Sequence, residues 1–144
     1  MSIKIKYFSY NTFLIEHSNT KIAIDPGLHL WIGKLNSLIP RSEWAGITHI
    51  LVTHGDPDHY WHIDRVAQSS KAPVVCGKEL VKIEGDNKLL LDPRKRGVEY
   101  STRVDKVYTL DVGETIEVDG VKIEGLKSVH GPVVVYFLFG LIRH

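Results

Sequence analysis

Residues 47–76 constrain the fold more than any other stretch. Ile47 to Thr53 is an apolar run with a β-branched bias, which reads as a buried strand. It runs directly into His54. After Pro57 the period changes: Tyr60, Ile63, Val66 and Ala67 recur at roughly helical spacing. Ala72-Pro73 stops that helix, and Val74 to Cys76 is a second short strand. Strand, loop, helix, strand is a βαβ unit, and its two strands should run parallel.

The flanks read mostly as strands. Ile3-Lys4-Ile5-Lys6-Tyr7 alternates strictly, and Thr12 to Glu16 and Lys21 to Ile24 follow, separated by the polar turn His17-Ser18-Asn19-Thr20. This β-meander ends in the turn sequence Asp25-Pro26-Gly27. Leu28 to Ile39 reads as loop with a short helical piece, and Ser42 is placed to cap a turn carrying Glu43 and Trp44. Lys78 to Ile83 suggests a short second helix, and Glu84 to Tyr100 is polar and turn-rich. Val107 to Leu110, Thr115 to Val118 and Val121 to Leu126 are strands, the last two joined by the hairpin signal Asp119-Gly120. No repeat or linker interrupts the pattern, so the expectation is one α+β or α/β domain over residues 1–144.

Composition excludes several classes. The chain has 144 residues, 43% hydrophobic and 24% charged, enough for one ordinary soluble core. A net charge of +1 creates no field that draws the chain to nucleic acid or to a membrane. The single cysteine, Cys76, forbids an intrachain disulfide and fits a reducing compartment. Met1 to Lys6 lacks the apolar block of a signal peptide, so the cytoplasm is the expected location. The longest apolar run, Val133 to Ile142, is shorter than the roughly 20 residues a bilayer span needs. Left uncovered, such a run is an exposed, aggregation-prone strand, which predicts a homo-oligomer formed through it.

The chemistry concentrates at one point. Of the eight histidines, His49, His54, His59 and His62 lie around one strand end, with Asp56, Asp58 and Asp64 among them. Residues just past the C-terminal end of a βαβ strand face the crevice where α/β proteins bind ligands. Imidazole and carboxylate together are the ligand set of zinc, iron and manganese. His54 and Asp56 are two apart, so an extended loop points their side chains the same way. Asp58 and His59 fall on the first helical turn.

The segment His54-Gly55-Asp56-Pro57-Asp58-His59 resembles the His-x-His-x-Asp-His signature of the metallo-β-lactamase superfamily. Ala23-Ile24-Asp25-Pro26-Gly27 looks like the strand-plus-Asp motif that precedes the metal loop there, and Val129-His130-Gly131 like its next ligand histidine. Within the superfamily the chain looks most like the lactonase-like metal-dependent hydrolases. The resemblance spans nearly the whole chain. It implies a two-metal hydrolase with an αββα sandwich made of two similar ββα halves. Carried over residue by residue, His54, Asp56 and His130 would hold the first metal. Asp58 and His59 would belong to the second, and Asp25 would support the loop. The implied reaction is hydrolysis of an ester, lactone or phosphoester in a small-molecule substrate by a metal-activated water. Asp58 would orient that water or accept its proton.

Two departures follow from the residues. Asp56 stands where the superfamily usually has histidine, and its hard oxygen tilts the site towards manganese, iron or magnesium relative to zinc. After His130 only fourteen residues remain, none of them Asp, so the expectation is a chain lacking the C-terminal half or completed by a partner. Plainer readings stand beside the sharp one. Asp56-Pro57-Asp58 is also an N-cap, first-turn proline and first-turn acid. His49 and His62 read as structural or surface residues, Cys76 as core, and Tyr60 and Trp61 as core or pocket wall. A catalytically silent, truncated metal-binding or oligomerising protein is one alternative. A nucleic-acid-processing relative using Arg94-Lys95-Arg96 and Arg103 is another, less favoured at this net charge.

Overall fold

Four residues, Leu14, Ala23, Ile50 and Val74, form one row across four neighbouring strands, and none is exposed to solvent. They belong to a six-stranded sheet in a computed structural model that describes residues 2–8, 11–27, 39–61, 63–90 and 102–127 and the strands at 134–137 and 140–143. The sheet contains β1 (Lys4–Tyr7), β2 (Phe13–His17), β3 (Thr20–Ile24), β4 (His49–Leu51), β5 (Val74–Gly77) and β9 (Val107–Leu110), in that order. The first three are the antiparallel meander expected from the alternation. From β3 onward the pairing is parallel, β3 to β4 to β5 to β9, as the βαβ unit requires. Parallel pairing puts the carboxyl ends of β3, β4 and β5 on one edge, and the His54–His59 segment starts there.

One face of this sheet is covered. Tyr60, Ile63 and Val66 share a buried cluster with the Leu14–Val74 row and with Trp44, Cys76, Leu80 and Val104. Burying an aliphatic side chain of this size contributes about 1.5–3 kcal/mol, so the row fixes the register of the parallel strands. The opposite face of β1 and β2 carries Ile5 and Tyr7 exposed, with the Tyr7 and Phe13 rings in tilted contact, centroids 5.0 Å apart. The alternating Lys4 and Lys6 point the other way and pair with Glu16 and Glu43.

The helical segment departs from the sequence expectation. It is two pieces, α1 (Pro57–Tyr60) and α2 (Ile63–Ser70). Trp61, at φ −63° and ψ 133°, takes an extended conformation that ends the first ladder after one turn. Tyr60, Ile63 and Val66 are buried as their spacing predicts. The strand expected over Ile47–Thr53 is regular only at His49–Leu51, although Thr48 N still donates to Lys21 O and Val52 N to Val75 O.

Two other expectations are corrected. Lys78–Ile83 is not a helix: a 3-10 turn (Lys78–Leu80) gives way to β6 (Val81–Glu84). The β-branched Val81 and Ile83 pair antiparallel with β7 (Asn87–Leu90) across Gly85, whose φ of 59° suits a tight turn, and that pairing outweighs a short helical period. Part of the stretch read as turn-rich is therefore a strand, with β8 (Thr102–Val104) beside it. Ser42 lies inside the 3-10 turn Arg41–Trp44, whose cap position is Pro40 with no side-chain bond.

The chain divides into two units, Met1–Asp111 and Val112–His144. The second contains the hairpin of β10 (Thr115–Val118) and β11 (Val121–Glu124), turned by Asp119 at φ 46° and Gly120 at φ 81° as the Asp-Gly signal predicts. The apolar run near the chain end folds back on itself as antiparallel β12 (Val134–Phe137) and β13 (Gly140–Arg143). Among the described residues no helix is long and apolar enough to cross a membrane.

Candidate metal centre

Asp25 organises the site. It follows β3 directly, has φ 48°, and is 3% exposed. An L-residue in the left-handed region needs holding, and here the holding is specific. Its backbone N–H donates to Leu51 O at 2.9 Å, and Thr12 Oγ1 donates to its carbonyl at 2.8 Å. Its carboxylate accepts from Thr53 N at 2.8 Å and from Thr53 Oγ1 at 2.6 Å, both just past β4. It also meets His59 Nδ1 on α1 at 2.8 Å. One carboxylate thus ties the end of β3 to the loop after β4 and to the helix that follows. Gly27, two residues on, lets the chains approach: a Cβ there would lie 2.6 Å from the backbone carbon of His59 and from Tyr60 N. The Asp-Pro-Gly sequence is therefore an anchor and a close-contact point as well as a turn.

These bonds dictate the histidine tautomers. A carboxylate only accepts, so His59 Nδ1 donates to Asp25 and neutral His59 carries its lone pair on Nε2. The Thr53 hydroxyl hydrogen is committed to Asp25, so the 3.0 Å contact between Thr53 Oγ1 and His54 Nδ1 is donated by the ring. Neutral His54 then also carries its lone pair on Nε2. Each Nε2 faces a carboxylate oxygen: His54 lies 3.2 Å from Asp56 Oδ2, and His59 lies 3.5 Å from Asp58 Oδ2. The two rings are adjacent, with centroids 3.9 Å apart. Two acceptors face to face need something positive between them: a hydrogen-bond donor, a proton or a cation.

The protonation tendencies of the two rings diverge. Burial, and next the neighbouring His59 charge, push His54 below the ordinary histidine value despite the acids nearby. For His59 burial is the largest single influence and acts downward. The Asp25 hydrogen bond and the charges of Asp25, Asp58 and Asp56 together outweigh it and raise the group.

Asp56 occupies the N-cap position of α1 with Pro57 at the first turn, as the plain reading holds, yet its side chain makes no capping bond. It is turned towards His54 instead. The structure therefore brings together His54, Asp56, Asp58 and His59, and places Asp25 behind them. His130, His62, His29, His144 and the basic Arg94–Arg96 stretch lie outside the described residues. Among the described residues no three His, Cys, Asp or Glu side chains converge on a single point. The donors come in pairs.

The pairs have the right spacing for a cation. With bonds of about 2.0–2.2 Å, adjacent ligands of a tetrahedral or octahedral ion lie roughly 3.0–3.5 Å apart. Both pair separations fall in that range. A carboxylate behind the ring, as Asp25 is behind His59, is the usual way a ligand histidine is oriented. His49, buried and bonded through Nδ1 to Thr48 Oγ1, is a structural residue. Cys76 is core. Sequence reasoning missed Thr12, Thr53 and Asn11, whose amide lies 3.0 Å from His59 Nε2 and 3.4 Å from Asp58 Oδ2. No local pattern marks them.

Residues 6–141 match the family model described as the metallo-β-lactamase superfamily. A UPF0173 metal-dependent hydrolase of Pyrobaculum calidifontis is 29% identical over 133 residues, covering 89% of this chain and 51% of that protein. Another from Archaeoglobus fulgidus is 36% identical over 81 residues, 56% of this chain and 33% of that protein. Among solved structures, Igni18, a metallo hydrolase from the hyperthermophilic archaeon Ignicoccus hospitalis, aligns with a TM-score of 0.58 at 17% identity. It covers 98% of this chain and 53% of that one. The Rm3 metallo-β-lactamase aligns at 0.53 and 18% identity, over 77% and 42% of the two chains. The chain spans about half the length of the curated relatives it matches.

Proposed function

The chain belongs to the metallo-β-lactamase superfamily, and on that premise we propose that it carries the metal loop of a divalent-cation-dependent hydrolase. The proposed substrate is a small-molecule ester, lactone or phosphoester. The observation that supports this reading is the pair of lone-pair nitrogens, His54 Nε2 and His59 Nε2, each set against a carboxylate at ligand spacing. His54 and Asp56 would hold one cation, with His130 as the expected third donor, and Asp58 and His59 a second. A divalent cation held by these residues would supply a lowered water pKa and a polarised scissile bond. Zinc, manganese and iron all suit imidazole with carboxylate, and the Asp56 oxygen favours manganese or iron.

The chain's own residues do the positioning. Thr53 fixes the His54 ring through Nδ1, and Asp25 fixes the His59 ring likewise. Asp58, whose side chain is 37% exposed, reaches solvent beside the pair and is the group placed to accept a proton from the attacking water. Association of chains through the run at 133–142 belongs to the same proposal; a monodisperse monomer in analytical ultracentrifugation contradicts that part.

The test is metal analysis joined to turnover. Chain purified with manganese or zinc present is expected to hold metal and to hydrolyse a member of a panel of nitrophenyl esters, lactones and phosphoesters. His54→Ala and Asp58→Ala are each expected to lose one bound metal and the turnover. Absence of bound metal in the unaltered chain would instead support the catalytically silent alternative.

A further inference from the structure

The donor pair Asp58–His59 has a third neighbour of a different chemical kind. Asn11, on the connection between β1 and β2, is solvent-exposed and places its carboxamide nitrogen 3.0 Å from His59 Nε2 and 3.4 Å from Asp58 Oδ2. With the 3.5 Å between His59 Nε2 and Asp58 Oδ2, the three atoms make a nearly equilateral triangle. Its edges match the roughly 3.0–3.5 Å that separates ligands on one face of a tetrahedral or octahedral ion. We propose that Asn11 is a metal ligand, completing with Asp58 and His59 a three-donor site for a hard divalent cation.

The chemistry is consistent with both states of the site. Without a cation, the amide N–H groups of Asn11 are donated to the His59 lone pair and to the carboxylate, so the amide supplies the partial positive charge that two facing acceptors need. Half a turn of the carboxamide about its last side-chain bond exchanges nitrogen for oxygen at nearly the same place. The carbonyl oxygen is an ordinary ligand for manganese, magnesium or calcium. Exposure leaves the side chain free to turn. The backbone beside it is not free: Phe8 N bonds Thr12 O at 2.9 Å, and the buried Thr12 hydroxyl is tied to Asp25 O. The same Asp25 fixes the far side of the His59 ring, so ligand and candidate ligand are referred to one anchor. A donor set of one imidazole, one carboxylate and one amide oxygen is harder than the usual zinc set.

This inference rests on the reading that Asp58 and His59 hold a cation, and the experiment separates the two. The full chain is titrated with manganese(II), free ion being followed by its electron paramagnetic resonance signal, and melting curves confirm that each variant is folded. Asn11→Ala is expected to weaken one binding step on the order of tenfold or more, the scale seen when a supporting residue of a metal site is removed. The step affected is the one that Asp58→Ala removes. Asn11→Asp keeps an oxygen at the vertex but cannot donate to His59, so it is expected to bind at least as tightly as the unaltered chain. Unchanged or tighter binding by Asn11→Ala overturns the proposal and leaves the hydrolase reading standing. Asn11→Asp as weak as Asn11→Ala also overturns it, since the amide then acts only as a hydrogen-bond donor. No manganese binding by the unaltered chain overturns both.

Discussion

His59 Nδ1 and Asp25 Oδ2, 34 positions apart in the chain, are 2.8 Å apart in space and almost entirely shielded from water. Removing the carboxylate strands three donors at once: the His59 ring, the Thr53 hydroxyl and the Thr53 amide. Asp25→Ala should therefore cost roughly 2–5 kcal/mol in urea unfolding with chelator present. Manganese affinity should fall by about 10–100-fold in the same variant. A loss below about 1 kcal/mol would mean that water replaces Asp25 without penalty.

Gly27→Ala tests the close approach between the end of β3 and α1. The added methyl would meet the His59 and Tyr60 backbone at 2.6 Å, so α1 must shift. Overpacking of this kind costs about 1–3 kcal/mol, and cation binding should weaken with it because His59 moves. Gly46→Ala is the control. Its φ of 72° carries a left-handed penalty of roughly 1–2 kcal/mol, but nothing lies within 4 Å of the new methyl, so binding should be unchanged. Equal effects of the two variants on binding would remove the steric account.

Cys76 should make the fold alkali-sensitive. Burial pushes its thiol from 9.0 to about 12. The unfolded chain loses that proton first, so the stabilisation is fully present below the unfolded value of 9.0 and is lost as pH rises towards about 12. The slope approaches 1.4 kcal/mol per pH unit above the unfolded value. The stability difference between the unaltered chain and Cys76→Ala should accordingly shrink between pH 8 and pH 10.5, roughly as that slope requires. A constant difference would show that the thiol is not shielded. Iodoacetamide at pH 8 should label the chain only after denaturation.

Ile50 and Ile5 are isoleucines of one sheet with opposite surroundings, 0% and 64% exposed. Ile50→Ala should cost about 2–5 kcal/mol by leaving a cavity in the Leu14–Val74 row. Ile5→Ala should stay within about 0.5 kcal/mol. Chemical denaturation of both measures the contrast, and a large loss for Ile5→Ala would reveal a surface that is covered in solution.

The parts of this fold legible in the sequence are those written as local periods. Strict alternation of Ile3, Ile5 and Tyr7 gave β1, and Asp119-Gly120 gave its hairpin turn in the positive-φ region it requires. The His54–His59 spacing gave two donor pairs, His54 with Asp56 and Asp58 with His59, on adjacent rings. What escaped depends on encounters between distant segments. Asn11 lies 48 positions from His59, and nothing in the sequence around it differs from an ordinary turn. Lys78–Ile83 has a weak helical period, and its partner strand at Asn87–Leu90 decides the outcome. Trp61 breaks a helix whose buried positions continue across the break, so periodicity alone could not register it. Asp56 obeys a capping rule by position while its side chain serves His54, a distinction that only geometry makes.

β3 and β4 run parallel and end at one edge, where Asp25 and Thr53 lock to each other. The ring of His59 hangs from that lock by its Nδ1. Its orientation is therefore set by the relative height of two strand ends as much as by the loop that carries it. A slip of β3 against β4 by one residue would turn the ring away without altering any residue of the 54–59 segment.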